Sequence, residues 1–322
     1  MHVVRVMDTE DVVVIIPTLD EATTVGEVVA GFRAQGFDAV VVIDGHSRDG
    51  TPTVAADAGA SVLQQRGQGK GAAVREAVAA TDRPVIVLVD GDGTYLPEEV
   101  GELLAPLRTG AEHVIGNRFG RMQPGAMTRL NRLGNRAINW GYRRIHGVDL
   151  TDILSGYRAF TRDSFTQMQL TADGFGIETQ MAVECAKREV PMAEVDISYL
   201  PRIAGSETNL RPVRDGGIII IELFRRAKTA NPLVYFGAVG MLVMLIGALL
   251  GTYVVYRWTT VRASHELLAV AAVAGVIFGG QLLIFGFLAD MLVSLQDQLL
   301  ERIAGTDESP EKTAEGTEIR RR

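Results

Sequence analysis

Cysteine, lysine and aromatic residues are scarce in this sequence. Its 322 residues include one cysteine, Cys185, and only 6% aromatics. A lone thiol cannot close an intrachain disulfide, and the five histidines (His2, His46, His113, His146, His265) show no close spacing with it that would build a zinc site. Disulfide-stapled scaffolds and zinc domains are therefore excluded. Lysine supplies only four of the 32 basic residues, an arginine excess read as a codon-composition bias of the source genome. The net charge is −7 and neither sign is strongly blocked along the first two hundred residues, so the sequence gives no basis for a nucleic-acid partner. The N-terminal MHVVRVMDTED lacks the apolar stretch and small-residue cleavage site of a signal peptide, which predicts a cytoplasmic N-terminal domain.

The chain is instead rich in apolar residues, at 47%, and they concentrate near the C-terminus. Pro232–Tyr256 and Leu267–Ala289 carry no charge and are each about 23–25 residues long, enough to cross a hydrocarbon core near 30 Å. Two transmembrane helices are expected. Arg225, Arg226 and Lys228 precede the first and Arg257 and Arg262 lie near its end, so charge bias leans only slightly toward a cytoplasmic N-domain. GGIIIIELFRRAK, just upstream, has the mixed apolar and basic pattern of a helix lying in the membrane interface. The final GTDESPEKTAEGTEIRRR reads as a disordered tail.

The first ninety residues alternate short apolar runs with helical patterns. VVVIIP (12–17), AVVVID (39–44), SVLQQ and PVIVLVD (84–90) read as strands, separated by helices near Thr23–Gln35, Gly50–Ala58 and Lys70–Ala80. Continuous β-branched strands between helices indicate a parallel sheet buried on both faces. Beyond Glu98 the pattern is less regular, with a strand at HVIG (113–116) and helical stretches near Met127–His146 and Ile177–Arg188.

Chemistry concentrates where the strands end. In VIVLVDGDGT the strand runs into Asp90, Gly91 and Asp92, two carboxylates one residue apart at the usual ligand crevice of an open α/β sheet. Such a pair can share a hard divalent cation bridging to substrate phosphates, or can simply form a polar turn. Glu21, after the Pro17–Thr18 strand end, could complement the dipole of the following helix. DGHSRDGT presents Asp44, Ser47 and Asp49 at the same edge, either as site residues or as an ordinary strand-to-helix turn. RGQGKGAA, Gly-rich and basic before a helix, suits approach to phosphate through backbone N–H groups and Lys70, although it is no Walker loop because Gly71 follows the lysine.

Taken in order, PTLDEA, DGHSRDGT, GKGAA, LVDGDGT, IGNRF and SGYR resemble the family 2 glycosyltransferases of the GT-A fold, and most closely the archaeal, membrane-anchored dolichol-phosphate hexose synthases that start N-glycan assembly. The resemblance spans Val12 to Arg214. It implies a Rossmann-like, mostly parallel sheet with helices on both faces, followed by two C-terminal transmembrane helices. It implies that Pro17, Thr18 and Glu21 contact the nucleotide, that Asp44 lies near base or ribose, and that Asp90, Gly91 and Asp92 meet the donor diphosphate, the two aspartates holding Mg2+ or Mn2+. Arg118 of IGNRF and Arg132 in the helix beyond match arginines that face the acceptor phosphate, and for Arg132 a solvated helix face is the competing role. Asp152, Ser155, Gly156 and Arg158 of DILSGYR match an acceptor-side loop, whose other role is a turn supporting the site. PRIAGSETNLRPVRDGG resembles the flexible acceptor loop near the membrane, with Arg202, Arg211 and Arg214 available for a lipid phosphate and Arg202 the foremost. Glu178 of GFGIETQ falls where relatives that glycosylate hydroxyls carry a base, whereas a lipid monophosphate, already anionic near pH 7, needs none.

Two positions depart from the family pattern. Gly45 stands where a second acidic residue is frequent, which leaves UDP and GDP both open, and Thr94 stands where Gln is frequent after the metal motif. The expected reaction is metal-dependent, inverting transfer of a hexose from a nucleotide diphosphate sugar to dolichyl or another polyprenyl phosphate at the cytoplasmic face of the cell membrane. Transfer to a glycan hydroxyl, or sugar nucleotidyl transfer, are the rival readings. The expected organisation is a catalytic domain over 1–212, an interfacial helix over 213–231, a two-helix transmembrane hairpin over 232–295 and a largely disordered tail over 296–322.

Overall fold

The structure, a computed structural model, describes residues 8–172, 174, 176–202 and 231–307. The chain divides into two compact units, residues 1–223 and 224–322.

The first unit is built on a seven-stranded sheet ordered β3-β2-β1-β4-β6-β5-β7. The strands are β1 Val12–Thr18, β2 Val40–Asp44, β3 Ser61–Gln64, β4 Val85–Leu88, β5 His113–Met122, β6 Arg158–Thr161 and β7 Met192–Tyr199. All neighbours pair parallel except β6, which runs antiparallel to both β4 and β5. The central strand shows why the apolar runs become strands. Every residue of β1 is buried, with Ile15 paired to Val41 on one side and Leu88 on the other. Successive side chains point to opposite faces. Val12, Val14 and Ile16 pack with Val25, Val28 and Phe32 of α1 (Val25–Ala34) and with Leu103 and Leu107 of α4 (Val100–Arg108). Val13 and Ile15 pack on the other face with Val74 and Ala77 of α3 (Lys70–Ala79), Phe165 of α6 (Arg162–Gln167) and Met181 and Cys185 of α7 (Ile177–Lys187). Each such buried aliphatic side chain contributes about 1.5–3 kcal/mol, so both helical layers are required. The remaining helix on this sheet, α2, covers Thr51–Asp57.

The irregular half holds four elements that the hydrophobic pattern did not reveal: α4, β6, the short α6 and β7. Helix α4 contains Pro106, a residue that argues against helix. Strand β6 is four residues long and opens with a buried arginine, and β7 is mostly half-buried. Strand β5 runs on past HVIG to Met122, with a register shift between Asn117 and Arg121, so Arg118 lies inside the strand and not after it.

Helix α5 (Arg129–His146) buries Ile138, Tyr142 and Ile145 and leaves Leu130, Leu133 and Trp140 exposed at 64%, 67% and 64%. These three share one side of the helix, bordered by Arg129, Arg132, Arg136 and Arg143, and no acidic residue occurs in α5.

The second unit is two helices, α8 (Pro232–Val261) and α9 (Glu266–Asp307), both long and apolar enough to cross a membrane. Asn231 caps α8, its Oδ1 accepting from the Val234 N–H at 3.1 Å. The helices pack at glycines: a Cβ on Gly240 would lie 2.6 Å from the Gly279 carbonyl oxygen, and one on Gly247 2.8 Å from that of Ala272. Small residues at a helix crossing, with Leu242, Leu249, Phe278 and Phe285 turned outward, are what lipid as solvent favours. Helix α9 continues through Asp307, so the segment from 296 expected to be tail begins as helix. The interfacial-helix expectation, 213–231, lies outside the described residues except for its last, Asn231.

Candidate active site

The loops after β1, β2 and β4 meet at the C-terminal edge of the sheet. Thr18 ends β1, Asp44 ends β2, and Asp90 and Asp92 follow β4. The first two loops clasp each other: Ser47 Oγ accepts from the Asp20 N–H at 2.9 Å, Asp20 Oδ1 from the Arg48 N–H at 2.8 Å, and Asp49 Oδ2 from the Ala22 N–H at 2.9 Å. Asp49 Oδ1 also accepts from the Thr51 hydroxyl at 2.5 Å. Ser47 and Asp49 are thereby committed to loop structure. Asp44 differs: its Oδ2 accepts from Ser47 N–H at 3.0 Å while its buried Oδ1 has no partner. The hydroxyl of Thr18, at the edge beside Pro17, is likewise buried and unpartnered.

Glu21 turns inward instead of capping α1. Its Oε2 is buried without a hydrogen-bond partner and lies against Gly91, where a Cβ would collide with it. Burial first, then the charges of Asp92 and Asp90, push the Glu21 carboxyl up to about 9. Asp92 is 3% exposed at its side chain. Its Oδ1 accepts from the Thr94 hydroxyl at 2.6 Å and the Thr94 N–H at 3.1 Å, and its Oδ2 pairs with Arg202 Nη2 at 2.5 Å. Burial and then the Asp90 charge raise the Asp92 carboxyl above the ordinary carboxylate range, against the opposing pull of Arg202 and Thr94. Thr24 Oγ1 donates to the Gly91 carbonyl at 2.7 Å and so fixes the turn between the aspartates.

Lys70, at the start of α3, is placed differently from the expectation of a phosphate ligand. Its Nζ is ion-paired with Asp90 Oδ1 and lies 2.5 Å from Glu178 Oε1 in the first turn of α7. Burial by itself would lower the ammonium pKa, but the two carboxylates overcome it and hold the group above its ordinary value.

The acceptor-side residues form a second cluster. Arg118 points its fork into Asp152, with Nε to Oδ2 at 2.7 Å and Nη2 to Oδ1 at 2.8 Å, and the Arg118 N–H also donates to Oδ2 at 3.0 Å. Nη2 reaches Asn135 Oδ1 at 2.9 Å, and the guanidinium lies 5.3 Å from the centre of the Tyr199 ring. Burial would lower this guanidinium's pKa; Asp152 more than reverses that. Arg132 packs its Nη2 on the Met122 sulfur at 3.2 Å, with Nε buried and unpartnered. The loop 152–156 is held from beneath by Arg158, fully buried, whose Nε donates to the Ser155 carbonyl at 2.8 Å and Nη2 to the Ile153 carbonyl at 2.5 Å. That brings Gly156 against Asp90 so closely that a Cβ there would overlap the carboxylate, while its N–H donates to Tyr95 Oη at 3.0 Å. Arg211 and Arg214 lie outside the described residues. Tyr95, Asn135 and Tyr199 are site neighbours that sequence reasoning did not single out; only Tyr95, next to the DGDGT motif, had a signal by position.

Among the described residues no cluster of three or more His, Cys, Asp or Glu side chains is arranged as a metal cage. The donor set still fits a hard cation that keeps water and substrate oxygens. Asp90 and Asp92 supply two carboxylates, and the unpartnered Glu21 Oε2 lies beside the residue between them.

A mixed sheet with an acidic pair, Asp90 and the buried Asp92, at the C-terminal edge of its parallel strands marks a GT-A glycosyltransferase domain. The model of glycosyl transferase family 2 matches residues 13–168, and the chain belongs to that family. It is 55% identical over 299 residues to glycosyltransferase AglJ of Haloferax volcanii, covering 92% of this chain and 99% of that protein. It is 36% identical over 212 residues to dolichyl-phosphate hexose transferase of the same organism, covering 65% and 91%. Among solved structures, it is similar to glucosyl-3-phosphoglycerate synthase from Mycobacterium tuberculosis in complex with Mn2+, UDP-glucose and phosphoglyceric acid, with a TM-score of 0.56 and 25% identity over 67% of this chain and 79% of that one.

Proposed function

We propose that this glycosyltransferase moves a hexose from a UDP or GDP sugar to the phosphate of dolichol or another polyprenol, with inversion, at the cytoplasmic face of the membrane, in protein N-glycosylation or other surface glycan assembly. The observation that carries the reading is the engagement of Glu178 by Lys70. The carboxylate standing where hydroxyl-directed relatives keep a base is committed to an ammonium, which favours an acceptor that arrives already ionised. A phosphate monoester has its second pKa near 6 and meets that need. The 36% identity to a dolichyl-phosphate hexose transferase points the same way.

In this mechanism the Pro17 strand end, Thr18 and Asp44 receive the nucleotide, the buried unpartnered oxygens of Thr18 and Asp44 accepting its hydroxyl and N–H groups. Asp90 and Asp92 would hold Mg2+ or Mn2+, which supplies the positive charge that stabilises the departing nucleoside diphosphate. Lys70 holds and orients Asp90 from behind. Arg202 and Arg132 orient the acceptor phosphate, while Arg118, its fork bound to Asp152, fixes the loop 152–156 and offers its remaining edge. Attack by the phosphate oxygen on the face opposite the leaving group inverts the anomeric carbon.

Helices α8 and α9 would anchor the enzyme as a multi-pass membrane protein, with residues 1–212 as its catalytic domain. The exposed Leu130, Leu133 and Trp140 beside an arginine row suit α5 to lie on lipid headgroups, near where a polyprenyl phosphate presents its charge. Incubating the purified chain with a polyprenyl phosphate and labelled UDP and GDP sugars, with and without chelator, tests the reading. Label transferred to the lipid only with divalent cation supports it; transfer to a glycan hydroxyl, or formation of a nucleotide sugar, overturns it.

A further inference from the structure

Asp92 has no free oxygen in this structure. Oδ1 is bonded to Thr94, and Oδ2 is held by Arg202 Nη2 at 2.5 Å. For Asp92 to ligate a cation through Oδ2, the guanidinium has to leave. The backbone before it is anchored, the Leu200 N–H donating to the Thr94 carbonyl at 2.9 Å, whereas the Arg202 side chain is 34% exposed and long enough to swing on that anchor. The local charge explains why it sits where it does. Glu21, Asp90 and Asp92 converge on one turn, and two like charges in a buried site strongly disfavour each other unless a cation stands between them. Lys70 serves Asp90 from the α7 side, so Arg202 is the counter-charge of Asp92.

We propose that Arg202 is a place-holder cation: it occupies Asp92 in the metal-free chain, yields that carboxylate to the divalent cation, and is thereby handed to the acceptor phosphate. This rests on the function proposed above in its second half only. The first half, competition between a guanidinium and a metal for one carboxylate, concerns residues of this chain alone. The hand-over also keeps the acceptor's phosphate out until the cation is bound, because the arginine it needs is engaged until then.

The test is Mn2+ binding followed by electron paramagnetic resonance on the full chain in detergent, with no nucleotide and no lipid. Arg202→Ala and Arg202→Gln are both used, since either side chain is tolerated at a partly exposed position, with Asp92→Asn as the control that removes binding. Freed of an ion pair, Asp92 should bind Mn2+ about tenfold more tightly in both arginine variants. Unchanged or weaker Mn2+ binding in both overturns the proposal. A second arm measures farnesyl phosphate binding with and without Mn2+. Wild type should gain affinity when Mn2+ is present, and Arg202→Ala should not. If Mn2+ competition holds while farnesyl phosphate binds wild type equally with and without Mn2+, the hand-over alone is overturned; if farnesyl phosphate binds under neither condition, the lipid-phosphate reading is what failed.

Discussion

Lys70 Nζ lies 2.5 Å from Glu178 Oε1 and is also ion-paired with Asp90, so a buried ammonium links the first turn of α7 to the loop after β4. The carboxylate best placed by sequence to act as a base is a support for Asp90. Glu178→Gln keeps an acceptor oxygen for Lys70 and should hold activity within about tenfold of wild type, since one charge-assisted bond becomes a neutral one. Glu178→Leu leaves Lys70 with a single carboxylate and should lose considerably more. The pH–rate profile of Glu178→Gln should match that of wild type through neutrality. A folded Glu178→Gln enzyme that binds donor and does not turn over would instead establish a hydroxyl acceptor.

Activity should need both aspartates. Asp92→Ala removes an anionic oxygen from the cation position and should cost at least about two orders of magnitude in rate, the scale of losing a principal electrostatic stabiliser. Full turnover in excess chelator would refute this.

Gly156 packs directly on the Asp90 carboxylate. Its backbone requires no positive φ, so Gly156→Ala tests close approach and nothing else. The added methyl must push Asp90 or the loop aside, and a displacement near 1 Å in a catalytic group costs about a hundredfold in rate. Thermal unfolding should change little, because the loop stays fastened by Arg158. Equal loss of stability and activity would assign Gly156 to folding alone.

Glu21 sets a pH dependence whose sign is fixed by its raised value. At about 9 in the folded chain against an ordinary value of 4.5, it binds a proton in the native state that the unfolded state has released. Native stability from this group is therefore intact below pH 4.5 and declines as pH rises toward 9. In chelator, the melting temperature of Glu21→Gln minus that of wild type should grow steadily from pH 5 to pH 9 and then level off. Mn2+ should shrink the difference, because a nearby cation favours the ionised carboxylate. A difference independent of pH would show that Glu21 is ionised in the empty site.

The legible part of this molecule is the part where burial alone decides structure. Val12–Thr18 and Val85–Leu88 are continuous β-branched runs because both faces of the sheet are covered, and the Asp90–Asp92 pair is conspicuous because it interrupts such a run. Strand β6 was hidden because its first residue is Arg158, a charge fully buried through carbonyl partners that only the folded loop supplies. Roles inside the site were hidden for a related reason. Sequence order places Lys70 in a Gly-rich loop suited to phosphate, yet its partner Glu178 lies over a hundred positions away on another helix. The same holds for Arg118, whose fork is taken by Asp152. Residue types named the chemistry, and pairings across the fold assigned it.

The chain contains two tryptophans, Trp140 on α5 and Trp258 near the end of α8, so a single substitution leaves one indole to report whether α5 meets lipid. Leu130, Leu133 and Trp140 present apolar surface beside arginines, the arrangement of a helix lying in the headgroup region of an anionic bilayer. In a Trp258→Phe chain reconstituted in anionic vesicles, the remaining indole should be quenched strongly by lipids brominated high on the acyl chain and only weakly by those brominated near its end. Replacing Leu130 and Leu133 by Ser should reduce that quenching and raise the KM for a long-chain lipid acceptor more than for the nucleotide sugar. Trp140 fully open to aqueous iodide and untouched by brominated lipid would place α5 in water, and the acceptor phosphate would then have to rise from the bilayer to reach Asp90.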